Sequence, residues 1–312
     1  RQRPGMYIGR LGNGSHPEDG IYILLKEVID NSIDEFMEGN GSKIIVTLDG
    51  QKCTVRDYGR GIPLNKLIEC VSVINTGAKY DNEAFQYSVG LNGVGTKAVN
   101  ALSSYFEITS WREGEYMNAV FERGELVHKE KGKGEEPNGT FVSFIPDDDP
   151  AIFGKYTYNE DYIKERLWNY AYLNKGLIIS FNGKTIKSAG GLMDLVKKIL
   201  GDDGLYPLIN YKSRNLEFSF THTNGYGESY HSYVNGQYTS DGGTHEAAFK
   251  EGVLKGINEY VHKSWAAPEI RDGIVATVAI KVMNPVFESQ TKNKLGNTDV
   301  RAWIVPEVKA AV

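Results

Sequence analysis

No stretch of this chain approaches the ~20 consecutive apolar residues that a membrane-spanning helix requires, which excludes a helical membrane protein. Cysteine is nearly absent. Cys53 and Cys70 are the only two in 312 residues and form no C-x-x-C pair, so neither a disulfide framework nor a cysteine zinc site is available. The start, Arg1-Gln2-Arg3-Pro4, has no initiator methionine, apolar h-region or cleavage site, and reads as a piece excised from a cytoplasmic protein rather than a secreted precursor. Positive charge is also short, with 35 Lys and Arg against 40 Asp and Glu and a net charge of −5. The whole chain therefore lacks the field that drives non-specific DNA binding, and any DNA contact must come from a local patch.

The remaining composition is that of a globular protein, 40% apolar and 24% charged, in a length that suits two domains of roughly 100 to 200 residues each. Ile21, Leu24, Leu25, Val28, Ile29, Ser32, Ile33 and Phe36 recur at helical spacing, predicting a helix over 18–38 that Gly39 and Gly41 stop. Two strands follow, 43–48 and 53–56, joined by Asp49-Gly50. Residues 77–95 are Gly-rich without a period and read as a long loop before a short helix over 96–102. From Phe106 to Ile145, strands alternate with turns at Glu113-Gly114, Arg123-Gly124 and Asn138-Gly139, the pattern of an antiparallel sheet. A helix over 159–173, a hairpin at Asn182-Gly183 and a helix over 191–200 complete a first domain, 1–201, with Gly201-Asp202-Asp203-Gly204 as the linker. A second domain, 202–312, reads as strands 216–222 and 228–235, a helix 244–263, a strand 273–283, then a loop and a helix from Thr298 or Asp299 that the chain end truncates. There is no internal repeat.

Three segments carry chemistry. Glu27, Asn31 and Asp34 fall at i, i+4 and i+7, one face of the first helix; a solvated polar stripe has the same spacing. Asp57-Tyr58-Gly59-Arg60-Gly61-Ile62-Pro63 leaves a strand with a carboxylate, then two glycines that let backbone approach a ligand. Gly90-Leu91-Asn92-Gly93-Val94-Gly95-Thr96 opens a helix, where free N–H groups and the helix dipole favour phosphate. It is not a P-loop, because Thr96 and Lys97 stand in the reverse order and no strand feeds it, and its glycines fall in G-x-x-G-x-G order, not the dinucleotide order. His245-Glu246 is no zinc motif, since Phe249 stands where the second His would be.

Glu27-Val28-Ile29-Asp30-Asn31, Asp57-x-Gly59-x-Gly61, Gly90-x-x-Gly93-x-Gly95 and Gly139-Thr140 resemble, in order and spacing, the four motifs of the GHKL ATPases. Arg3-Pro4-Gly5-Met6-Tyr7-Ile8-Gly9, Asp241-Gly242-Gly243-Thr244-His245 and Gln290-Thr291-Lys292 are similar to segments of the type IIA DNA topoisomerase B subunits, those of gyrase and topoisomerase IV. The resemblance implies an α+β fold: a GHKL (Bergerat) ATP-binding sandwich of mixed sheet and helices, then a transducer domain like domain 2 of ribosomal protein S5. It implies ATP and Mg²⁺ as cofactors, an A subunit and DNA as partners, and ATP hydrolysis driving strand passage. By the same resemblance Glu27 is the general base, Asn31 the Mg²⁺ ligand, and Asp57 the acceptor for the adenine amino group, with Thr140 and Gly61 beside it. Gly90, Leu91, Asn92, Gly93, Val94, Gly95 and Thr96 would surround the phosphates, and Gln290 and Lys292 would reach the γ-phosphate. Glu35, Arg60, Ile62, Pro63 and Arg112 match the pocket mouth.

The chain departs from the family at Phe85, where gyrase B subunits often carry Tyr, and in lacking the N-terminal arm ahead of Arg1 that exchanges between protomers. A monomer that turns ATP over slowly is the corresponding expectation, against an ATP-dependent dimer of the full-length subunit. Asn92, where gyrase usually has His, and Thr96-Lys97-Ala98 lean toward topoisomerase IV. The alternatives are another GHKL ATPase, of the mismatch-repair or chaperone type, and a non-hydrolysing nucleotide sensor.

Overall fold

The computed structural model describes residues 1–73, 94–289 and 292–312. The chain divides into two compact units, Arg1–Ser188 and Ala189–Val312.

The first unit runs α1 (Gly5–Ile8), α2 (Gly20–Met37), β1 (Lys43–Asp49), β2 (Lys52–Asp57), a 3-10 turn (Leu64–Lys66), α3 (Leu67–Ser72), α4 (Gly95–Ala101), β3 (Ser103–Arg112), β4 (Glu115–Glu122), β5 (Glu125–Lys133), β6 (Gly139–Pro146), α5 (Glu160–Leu173), β7 (Ile178–Phe181) and β8 (Lys184–Ile186). The strands form one sheet in the order β5-β4-β3-β6-β2-β1-β7-β8. It is mixed, because β1 and β7 pair in parallel while the other neighbours pair antiparallel. Alternate residues of the central strands, Ile44 and Val46, Cys53 and Val55, Phe106 and Ile108, Val142 and Phe144, are buried. They join Ile21, Leu24, Leu25, Val28, Ile29 and Ile33 of α2 in one core, as expected of a sheet covered on one face. The expected turns are present: Glu113-Gly114, Arg123-Gly124 and Asn182-Gly183 all have positive φ at both positions, the geometry that suits tight hairpins.

The second unit runs α6 (Leu192–Leu200), β9 (Ile209–Lys212), β10 (Leu216–His222), β11 (Ser229–Val234), β12 (Gln237–Tyr238), α7 (Thr244–Val261), α8 (Ala267–Arg271), β13 (Ile274–Ile280) and α9 (Val300–Ala311). Its sheet has the order β12-β11-β13-β10-β9, again mixed, with β11 and β13 parallel. Phe218, Phe220, Phe249, Val253, Ile304 and Val308 lie in its own core. Helix α6 belongs to this unit, ahead of the linker expected at 201–204, because it packs against β10 and β13. Short elements such as α3, α8 and β9 are too brief for periodicity to reveal. Among the described residues no helix is long and apolar enough to cross a membrane.

Candidate functional site

Helix α2 brings two clusters together in the first unit. At the first, Asn31 Nδ2 donates to the carbonyl of Glu27, 2.9 Å away, and to Thr96 Oγ1, 2.8 Å away. Both donor hydrogens of the amide are thereby directed at protein, which turns the planar group so that Oδ1 faces the other way. Gly95 opens α4 directly against the Glu27 carboxylate, and a Cβ there would collide with Glu27 Oε2. Any larger residue at 95 would displace that carboxylate. Among the described residues no group of three or more His, Cys, Asp or Glu could hold a metal ion. The donor set here is one neutral amide oxygen, which fits Mg²⁺ bound mainly by phosphates and water rather than a protein cage.

Behind Glu27, Lys26 pairs with Asp30, which also accepts from the Tyr170 hydroxyl. Burial pulls the Lys26 ammonium down, but Asp30 and Glu27 outweigh it and leave its pKa raised. A fixed positive charge therefore sits at the root of the Glu27 turn.

The second cluster centres on Asp57, only 4% exposed at the end of β2. Its Oδ1 accepts from the amides of Gly59 (3.0 Å) and Thr140 (3.2 Å). Its Oδ2 accepts from Ser32 Oγ, 3.0 Å away, and from Thr140 Oγ1. Four donors match the roughly four acceptor positions of a carboxylate. The two on Oδ2 are hydroxyls, which can rotate aside for an incoming donor.

Beside it runs a rim. Arg60 meets Glu35 through three bonds, from its amide (3.0 Å), Nε (3.1 Å) and Nη2 (2.8 Å), and this pairing raises the guanidinium pKa. Arg112 Nη1 donates to the Gly61 carbonyl at 3.2 Å, and Ser110 Oγ to that of Ile62 at 2.8 Å. Pro63 leads into the 3-10 turn. Gly61 has φ +77, and a side chain there would strike the Trp111 carbonyl.

The structure thus joins Glu27, Asn31, Gly95 and Thr96 in one group, Asp57 and Thr140 in a second, and Glu35, Arg60, Gly61, Ile62 and Arg112 along the rim, while Val94 precedes α4. Gly90, Leu91, Asn92, Gly93, Phe85 and Gln290 lie outside the described residues. Lys292 belongs to the second unit, with φ +58 and its amide 3.0 Å from the Ser289 carbonyl.

Sequence reasoning missed two contributors. Ser32, read as part of the apolar stripe, is 3% exposed and holds Asp57; a hydroxyl inside a buried stripe was the available signal. Arg56 lies between the rings of Tyr58 and Trp111, its guanidinium carbon 4.3 and 4.4 Å from their centroids. It donates to the carbonyls of Asp57 and, at 2.7 Å, Pro137. Burial lowers its pKa, with Tyr58 and Asp57 opposing. Arg56 clamps the start of β6, which carries Thr140, to the end of β2, which carries Asp57.

Comparison with known proteins identifies the family. A family model described as "Histidine kinase-, DNA gyrase B-, and HSP90-like ATPase" matches residues 16–150, and one described as "DNA gyrase B" matches residues 160–312. The B subunit of DNA topoisomerase 4 from Borreliella burgdorferi is 53% identical over 100% of this chain and 52% of its own length. The B subunit of DNA gyrase from Thermotoga maritima is 37% identical over 99% of this chain and 53% of its own length. The chain spans about half the length of these curated relatives. Among solved structures, the 43K ATPase domain of Thermus thermophilus gyrase B, in complex with an aminocoumarin, superposes with a TM-score of 0.75 at 31% identity, covering 99% of this chain and 86% of that one. The ATPase region of Saccharomyces cerevisiae topoisomerase II, at 20% identity and a TM-score of 0.78, shares the fold. With both family models matched in succession and a gyrase B ATPase domain matched almost end to end, the chain belongs to the ATPase region of the type IIA DNA topoisomerase B subunits.

Proposed function

We propose that this chain binds Mg-ATP between the two clusters on α2 and hydrolyses it, and that in its full-length subunit this drives DNA strand passage with an A subunit in the cytoplasm. The observation that carries the reading is the pair of clusters on one helix. Glu27 and Asn31 stand beside Gly95 and Thr96, and one residue on from Asn31, Ser32 reaches Asp57.

In this reading adenine donates its amino group to Asp57 Oδ2, displacing a hydroxyl donor, while Thr140 and Gly61 line the ring. Thr140 Oγ1 can then turn to a bridging water. Val94, Gly95 and Thr96, with Gly90, Leu91, Asn92 and Gly93 before them, face the phosphates. Mg²⁺, held through Asn31 with phosphates and water, would neutralise phosphate charge. Glu27 accepts the proton of the attacking water, and Gln290 and Lys292 supply donors and charge to the γ-phosphate. Topoisomerase IV is favoured over gyrase as the parent enzyme, on Asn92, Thr96-Lys97-Ala98 and the 53% identity to a topoisomerase 4 relative.

Titration with a non-hydrolysable ATP analogue, alongside phosphate release from ATP, tests the reading. Saturable binding with turnover is expected. Binding without turnover would leave a nucleotide sensor, and no binding at millimolar nucleotide would remove the proposal altogether.

A further inference from the structure

The Asp241-Gly242-Gly243-Thr244-His245 segment has so far no part in the chemistry, yet within the second unit it is bonded to the chain that follows Lys292. The Asp241 amide donates to the Asn293 carbonyl (3.0 Å), the Leu295 amide to the Gly242 carbonyl (3.2 Å), and the Thr244 amide to the Leu295 carbonyl (3.0 Å). These bonds surround a parallel bridge between Gly243 and Leu295. Gly243 has φ +134, and a Cβ there would lie 2.5 Å from both the nitrogen and the oxygen of Leu295. Only glycine lets the two backbones approach this closely.

We propose that Asp241–Thr244 is the mount of the Lys292 loop, and that Gly243 is a positioning residue setting where Lys292 stands. A lysine side chain is a flexible four-carbon stem with a point charge at its end, so its aim is decided mainly by where its backbone is held. Leu295 is fully buried and lies three residues from Lys292, a reach of about 10 Å at most. The outer limb of the loop is tied back as well: the Glu288 amide donates to Lys294 (3.0 Å), the Gly296 amide to Val286 (2.8 Å), and Lys294 pairs with Glu288 at 3.0 Å. The mount is anchored in turn through His245, fully buried with Nε2 3.1 Å from Thr239 Oγ1. Thr239 Oγ1 donates to the Ser232 carbonyl at 2.8 Å, so its oxygen accepts from the imidazole N–H. The chain of contacts runs from β11 through Thr239 and His245 to the start of α7, then through Leu295 to Lys292.

The inference rests on the reading of Lys292 as a γ-phosphate contact, and a double-mutant cycle separates the two. Lys292→Ala is expected to lower kcat at least tenfold while ADP affinity stays within twofold. Gly243→Ala should do the same, and the double variant should be no slower than the slower single. Multiplying losses, or an unchanged kcat for Gly243→Ala where Lys292→Ala is slow, overturns the mount. If Lys292→Ala keeps its kcat, the reading of Lys292 fails, and amide exchange then decides the mount: Leu295 and Thr244 should be protected in wild type and exposed together in Gly243→Ala. Should Gly243→Ala not fold, His245→Leu, which loses the bond to Thr239, is compared with His245→Gln, which keeps a donor there. A lower kcat in the first that the second restores supports the mount, and equal kcat values overturn it.

Discussion

Glu27 is half-buried, with its carboxylate against Gly95 and a lysine one residue before it paired to Asp30. In the proposed mechanism this carboxylate acts on the attacking water and not on the nucleotide. Glu27→Ala should therefore lose about 10² to 10⁴-fold in turnover while ATP binding stays within a few fold; a variant retaining more than roughly a tenth of wild-type kcat would not be missing its general base. Asp57 presents a different case, because its acceptor positions are shared between protein donors and the proposed adenine amino group. Asparagine at this position must point its NH₂ at donors on one side. Asp57→Asn should weaken ATP binding by roughly 1.5 to 3 kcal/mol, about 10- to 150-fold in Kd, and lower the melting temperature too. Unchanged affinity by calorimetric titration would put adenine elsewhere.

At the scale of elements, the decisive juxtaposition is β6 beside β2, with α2 across both. Arg56 holds this junction by two carbonyl bonds and two ring faces. Replacing it by Met keeps bulk but removes the cation–π contacts, and leaves the carbonyls of Asp57 and Pro137 without their donor. A loss of roughly 2 to 4 kcal/mol in denaturant unfolding is expected, with weaker nucleotide binding because the segment leading into β6, and with it Thr140, is held less firmly beside Asp57. A variant as stable as wild type would make Arg56 an ordinary surface arginine.

For the molecule as a whole, acid stability is expected to depend on a buried group that itself touches no nucleotide in the proposed mechanism. Burial drives the His245 imidazole down to about 3 from an ordinary 6.5. The unfolded chain gains a proton near pH 6.5 that the folded unit refuses until near pH 3, so this contribution is complete above the upper value and is lost as pH falls through the window between them. Each pH unit within the window weighs about 1.4 kcal/mol, which is large against a typical total of roughly 5 to 15 kcal/mol. Denaturant unfolding measured between about pH 6 and 4 should show a steep loss in wild type and a flatter one in His245→Gln. Identical acid limbs in the two proteins would assign the acid sensitivity to other groups.

Much of this site was legible in the chain because its parts are local. Helical spacing alone puts Glu27 and Asn31 on one face, Asp57-x-Gly59-x-Gly61 needs only a strand end, and the hairpin turns follow from glycines that accept positive φ. Length and the order of helices and strands suggest two domains with a break near 201, whereas the compact units part between Ser188 and Ala189, because α6 packs on the second sheet. What only the tertiary structure decided are contacts between distant segments: Ser32 with Asp57, 25 residues apart; Asp57 with Thr140, 83 apart; and Arg56 with Pro137, 81 apart. These depend on strand order, since β6 must insert between β3 and β2 before Thr140 can reach Asp57. Strand alternation says which face a residue takes but not which strand lies beside it. The same holds for Gly243 against Leu295, a contact set by backbone packing and invisible to any local pattern.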